Sequence, residues 1–229
     1  MTLRTNARLA GAMFLLYIGT GLASLTLSTS YAGAAGAAVE LATVARYAPL
    51  ARLNVLLTLL QVAYAVGLGV TLYALTRHQD ADLARWALCW RLTEGLIGAV
   101  GAVQLLGLIS IATARTAGLN SAAADTVATF QLRQGGAQVA AVCFAVGSTL
   151  FCYLFLRARN IPEPLAWLGL LASLLLLVAL PVQIVTGIRT PVAMVVWVPM
   201  ALFEVWLALW LIFKGVAPRS TPPAFGGAA

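Results

Sequence analysis

Charge is what this chain has least of. Asp, Glu, Lys and Arg together supply only 9% of its 229 residues, where soluble domains carry about a quarter. With 62% of residues hydrophobic, an ordinary water-soluble domain is excluded. Histidine occurs once, as His78 in a charged loop, and the three cysteines, Cys89, Cys143 and Cys152, sit singly inside apolar runs. That excludes a His/Cys metal site and a disulfide framework, and the cysteines read as small buried apolar side chains. Phosphate-cradling glycine loops and nucleophile elbows are missing too, so nucleotide, redox and hydrolase chemistry lack support and no cofactor is expected. Basic residues outnumber acidic ones 14 to 7, but they form no cluster. They flank apolar runs in pairs, which argues against nucleic acid and for membrane topology.

What the chain has is long apolar runs. Six are near the ~20 residues a bilayer crossing needs: 9–29, 51–76, 86–112, 134–156, 164–186 and 191–213. Their Leu/Ala/Val content without alternation predicts helices, not membrane strands. The expected fold is all-α, a six-helix transmembrane bundle forming one domain over 1–215, with a disordered Pro/Gly-rich cytoplasmic tail at 216–229. The first run is read as a retained span, since it exceeds the usual apolar core of a cleavable signal, although small residues follow it in "SYAGAA" (Ser30–Ala35). Two loops, 33–49 and 118–133, have the pattern of short helices, the second capped by Asn120 or Ser121.

Positive charge sets the expected orientation. With the N-terminus inside, Arg4, Arg8, Arg77, Arg85, Arg157, Arg159, Lys214 and Arg219 are cytoplasmic, and Arg46, Arg52, Arg115, Arg133 and Arg189 are outside. The bias favours N-in and C-in.

Against this apolar background, Arg91, Glu94 and Glu204 stand out. Glu94 lies nine residues from Arg85 and Glu204 ten from Lys214, which places both carboxyls about 14–15 Å deep, near mid-membrane. Lipid exposure of such a charge costs roughly 3 kcal/mol or more, so both are expected to point inward and to meet. Arg91 and Glu94, three apart, share a helical face; Glu204 has no basic residue on its own helix before Lys214.

Asn54, Thr58 and Gln61 recur on one face of the second run, and Gln104, Gln138 and Gln183 lie on three others. Together they predict a polar vestibule in the outer half with the carboxyls at its floor. Trp197 and Trp206 are candidate pocket walls, and Pro181 and Pro199 candidate kinks. Gly95, Gly98 and Gly101 read as a close-packing stripe, with room for a substrate as the alternative.

The stretches "RLAGAMFLLY" (Arg8–Tyr17), "RLTEGLIGAV" (Arg91–Val100), "YLFLRARNIPEPLAWLGLLAS" (Tyr153–Ser173) and "FEVWLALWLIFKG" (Phe203–Gly215) resemble, in order, the bacterial membrane family catalogued as domain of unknown function 4386. The resemblance covers nearly the whole chain, with Arg8, Arg91, Glu94 and Glu204 matching the family pattern. It implies a small multipass protein of the bacterial inner (plasma) membrane, and no activity. A weaker likeness, in size and paired acids, is to integral-membrane terpene cyclases; no motif carries it.

Three functional classes fit. The first is an acid–base enzyme on a lipophilic, isoprenoid-like molecule, with Glu204 as general acid and Glu94, oriented by Arg91, stabilising positive charge. Asn54, Thr58, Gln61, Gln104, Trp197 and Trp206 would then hold the substrate. The second is a non-catalytic sensor, accessory or immunity protein in which the trio fixes helix register. The third is a small proton-coupled transporter, disfavoured because the two halves show no internal repeat. Expected partners are membrane lipids and a lipophilic small molecule; no pattern specifies an oligomer.

Overall fold

The structure, a computed structural model, describes residues 2–31, 37–116, 121–132, 136–187 and 195–216. These form α1 (Leu3–Ser28), α2 (Ala37–Arg46), α3 (Ala48–Thr76), α4 (Ala81–Thr116), α5 (Ser121–Leu132), α6 (Gly136–Ala158), α7 (Glu163–Thr186) and α8 (Val198–Phe213). Among the described residues there is no strand.

Five of the helices, α1, α3, α4, α6 and α7, are long and apolar enough to cross a membrane. In the run expected to be the sixth span, the described helix covers only part of the stretch 191–213. α8 has 16 residues, about 24 Å of helix, and 188–194 lie outside the described residues. Pro199 sits in the first turn of α8, where its missing N–H breaks no helical bond. It begins that helix and does not kink it. Pro181 does lie inside α7.

The long helices close into a ring, each packed on the next: α1 on α3, α3 on α4, α4 on α6, α6 on α7, α7 on α8, and α8 back on α1. α4 and α8 therefore stand on opposite sides of the interior. Apolar side chains cover both surfaces of the ring. Leu154, Leu165, Leu176 and Leu211 are fully buried, while Leu22, Leu171, Val178 and Phe213 are exposed. Apolar patches of that kind suit lipid and not water. Small residues let the helices approach. A Cβ at Gly11 would lie 2.6 Å from the Ala208 carbonyl oxygen of α8, and one at Gly169 would collide with the Phe203 ring.

α4 runs for 36 residues, about 54 Å, well beyond a ~30 Å hydrocarbon core. The overhang explains the two short helices. Leu41 and Val44 of α2 and Ala124 and Ala128 of α5 bury themselves with Ala112 of α4 in a second apolar cluster. Arg115 ties the three elements: its Nη1 donates to the Ala38 carbonyl at 2.9 Å and lies 3.4 Å from Asp125 Oδ1. Asn120, offered as a cap for α5, lies outside the described residues, as does the tail from 217 onward. Cys143 and Cys152 are buried, but Cys89 is exposed, so the expectation of three buried thiols fails there.

Candidate functional site

The interior polar site begins on α4. Arg91 is 1% exposed, and Glu94 and Glu204 are 6% and 8% exposed. The three-residue spacing brings Arg91 Nη1 to 2.8 Å from Glu94 Oε2, an ion pair too oblique to count as a hydrogen bond for either atom. Among the described residues, Arg91 Nε and Nη2 have no hydrogen-bond partner either. Aromatic faces surround the guanidinium instead, the Phe144 ring at 5.0 Å and the Tyr17 ring at 5.8 Å. Tyr17 of α1 also donates its hydroxyl to Glu94 Oε1 at 2.7 Å. The hydrogen bond thus links α4 to α1, the ion pair stays within α4, and α6 supplies a ring.

Room for the arginine stem comes from two glycines on flanking helices. A Cβ at Gly147 of α6 would lie 3.2 Å from Arg91 Cγ and 3.2 Å from the Ala87 carbonyl oxygen. One at Gly69 of α3 would lie 3.3 Å from Arg91 Cβ and 2.9 Å from Leu88. The stripe Gly95, Gly98 and Gly101 does something else. A Cβ there would meet nothing closer than 3.5 Å, and at Gly101 nothing within 4 Å. Those three are not required by close packing; Gly95 and Gly98 instead border a cavity.

That cavity measures about 350 Å3, inside the range of small-molecule sites. Glu94 from α4 and Glu204 from α8 both line it, with Tyr17 of α1 beside them. The wall continues along α3 from Ala65 to Thr58, along α6 from Phe144 to Ala137, and along α8 from Glu204 to Trp197. Seven residues of helix in each case give a depth of about 10 Å. The carboxyls form its floor, and the far end points toward the starts of α3, α6 and α8. Arg91 does not line it.

Glu204 differs from Glu94 in its company. Its Oε1 is buried and has no hydrogen-bond partner among the described residues. On its other side lies a void of about 10 Å3 among Ser148, Phe151, Cys152 and Met200, no larger than about one water.

Of the residues expected to contact a ligand, Thr58, Gln61 and Trp197 line the cavity. The others lie elsewhere. Asn54 is buried in a clasp, accepting from Ser24 Oγ and donating to the Tyr31 hydroxyl. Gln104 of α4 is half-buried and reaches toward the start of α6, where its Oε1 would be 4.0 Å from a Cβ on Gly136. Trp206 is 52% exposed; two positions beyond Glu204, it is carried about 200° around the helix and faces outward. Gln183 sits on α7, which contributes nothing to the lining.

The sequence reading passed over Tyr17, Phe144, Gly69 and Gly147. Tyr17 carried a signal, because a phenol inside an apolar run needs a partner for its hydroxyl. Phe144 carried none. The two glycines become meaningful only once the neighbouring helix is known to bear Arg91.

Comparison with known proteins yields one finding. A family model described as Domain of unknown function (DUF4386) matches residues 9–215. No curated protein and no solved structure matches, and nothing here supports the likeness to terpene cyclases.

Proposed function

Since the chain belongs to the DUF4386 family, whose description names no activity, we propose a function from the cavity's chemistry. The protein is a six-span membrane protein of the bacterial inner membrane, with both termini cytoplasmic. It performs acid–base chemistry on a lipophilic molecule held in the ring's interior. Glu204 gives a proton to an alkene, epoxide or leaving oxygen of that molecule. Glu94, held by Arg91 and Tyr17, stabilises the positive charge that develops or takes up the final proton. The apolar walls keep water from the reacting centre.

The observation that carries this reading is the contrast across one cavity: two carboxyls border it from opposite helices, Glu94 with an ion pair and a tyrosine hydrogen bond, Glu204 with an Oε1 that has no hydrogen-bond partner among the described residues. A buried carboxyl oxygen without a hydrogen bond costs stability, and a ligand-facing role accounts for its retention.

The test compares Glu204→Gln with the parent chain by thermal unfolding in detergent and by mass spectrometry of lipids from expressing cells. A folded variant lacking a lipid product that the parent makes supports the enzyme. Equal product from both rejects it. A second reading, in which the polar cluster only fixes helix register, is favoured by the Tyr17–Glu94 bond between α1 and α4. It predicts that Glu204→Gln changes nothing in the cell's lipids. Loss of proton-dependent solute uptake without any lipid change would point to a carrier.

A further inference from the structure

The cavity is lined by two acids, and the cation beside them, Arg91, pairs with Glu94 alone. Glu94 and Glu204 line it, whereas Arg91, 1% exposed, lies outside the lining. With both acids ionised, the site holds one surplus negative charge in a medium where an unbalanced charge is costly. The rings of Tyr17, Phe144 and Trp197 line the same space, with Phe144 and Trp197 centred 5.9 Å apart. Carboxylate and aromatic faces together are the recognition chemistry of organic ammonium groups. Besides Glu94, α4 lines the cavity with Gly95 and Gly98, which leaves width for a branched head.

We infer that this site is complementary to a lipophilic organic cation, an ammonium-type group lodged between Glu204 and the aromatic rings. The inference rests on the acid–base reading and names the charge to which the site is matched. When Glu204 protonates a neutral substrate, its O–H bond breaks, a bond from substrate to hydrogen forms, and the carboxylate keeps the electron pair. The substrate gains one positive charge and Glu204 one negative, so the net charge of the site is unchanged. A stable ammonium beside ionised Glu204 reproduces that distribution, and a site built for it binds the cation better than a neutral analogue.

The test uses the full chain in nanodiscs of zwitterionic lipid, with isothermal titration against octyltrimethylammonium, octanol and octyl sulfonate, and protein-free discs as blank. Saturable binding of the ammonium is expected, at least about tenfold tighter than octanol, with no saturable binding of the sulfonate. Glu204→Gln should weaken ammonium binding about thirtyfold or more and leave octanol unchanged. Trp197→Leu should weaken the ammonium severalfold, and decides the matter if Glu204→Gln fails to fold. Equal affinity for ammonium and octanol, or ammonium binding indifferent to both substitutions, overturns the inference. A lipid product that needs Glu204, in a protein without cation preference, sinks this inference alone. Cation preference without any such product sinks the acid–base reading alone.

Discussion

Glu94 and Glu204 face one cavity from opposite sides of the helix ring, in different surroundings. Around Glu94 are an arginine at 2.8 Å, a tyrosine hydroxyl at 2.7 Å and two glycines that make space for the arginine stem. Around Glu204 are Met200, Phe203 and Leu207, with Ser148 and Cys152 across a small void, and its Oε1 has no hydrogen-bond partner among the described residues. A buried charge with its partners in place belongs to the framework, because removing any partner exposes the others to an apolar medium. A buried acid with an unpartnered oxygen and no ion pair adds little to the framework that a neutral side chain of equal size would not. The two regions should therefore respond in opposite ways to substitution, stability failing at one and activity at the other.

The largest effect is expected at Arg91. Arg91→Met leaves Glu94 buried beside Tyr17 with no counter-charge, and should destabilise the protein by about 3–5 kcal/mol. Thermal unfolding of the purified protein in detergent reads this directly. Adding Glu94→Gln to it should recover a large part of the loss. If the single variant is as stable as the parent, the cluster is no framework and the contrast collapses.

Tyr17→Phe comes next. It deletes only the 2.7 Å bond to Glu94 Oε1, and the loss of a hydrogen bond to a charged group is worth about 1.5–3 kcal/mol. Because Tyr17 also lines the cavity, ligand titration on the same variant separates anchoring from binding. Lost stability with retained ligand affinity places the hydroxyl in the framework.

The same contrast explains what was legible from the sequence. Five of the six apolar runs correspond to long helices, because a span must satisfy every backbone bond internally and leaves a continuous apolar signature. The Arg91–Glu94 pair was legible because both residues sit on one helix, where spacing alone fixes proximity. Tyr17, Gly69 and Gly147 gain their roles from contacts between helices, and no spacing along one helix encodes those. The face shared by Asn54, Thr58 and Gln61 was legible, but its use was not. Thr58 and Gln61 reach the cavity, while Asn54 is claimed by Ser24 and Tyr31. Trp206, a candidate pocket wall, is two residues from Glu204 along the helix and therefore on another face, 52% exposed.

Gly147→Ala is the finer probe of the framework. The added methyl would sit 3.2 Å from both the Ala87 carbonyl oxygen and Arg91 Cγ, tight enough to shift the arginine stem by a few tenths of an ångström. The expected cost is about 1–2 kcal/mol. Gly101→Ala on α4 serves as its control. It meets nothing within 4 Å and should be neutral or slightly stabilising, because alanine is the better helix former by about 1 kcal/mol. Equal losses at the two positions would mean that Arg91 is not confined as described.

The smallest effect on stability is expected at the residue on which the proposed chemistry depends. Glu204→Gln keeps the side chain's size and leaves Arg91, Glu94 and Tyr17 untouched. It replaces a carboxyl whose Oε1 lacks a partner among the described residues, so no hydrogen bond to that atom from them is broken. The stability change should stay within about 1 kcal/mol in either direction, by the same unfolding measurement that registers Arg91→Met. The amide cannot give up a proton as the acid does, so any chemistry at the cavity floor should stop in a protein that still folds. A loss of stability approaching that of Arg91→Met would place Glu204 in the framework with Glu94. The cavity would then be a gap between packed helices, bordered by two acids that both serve to hold the ring together.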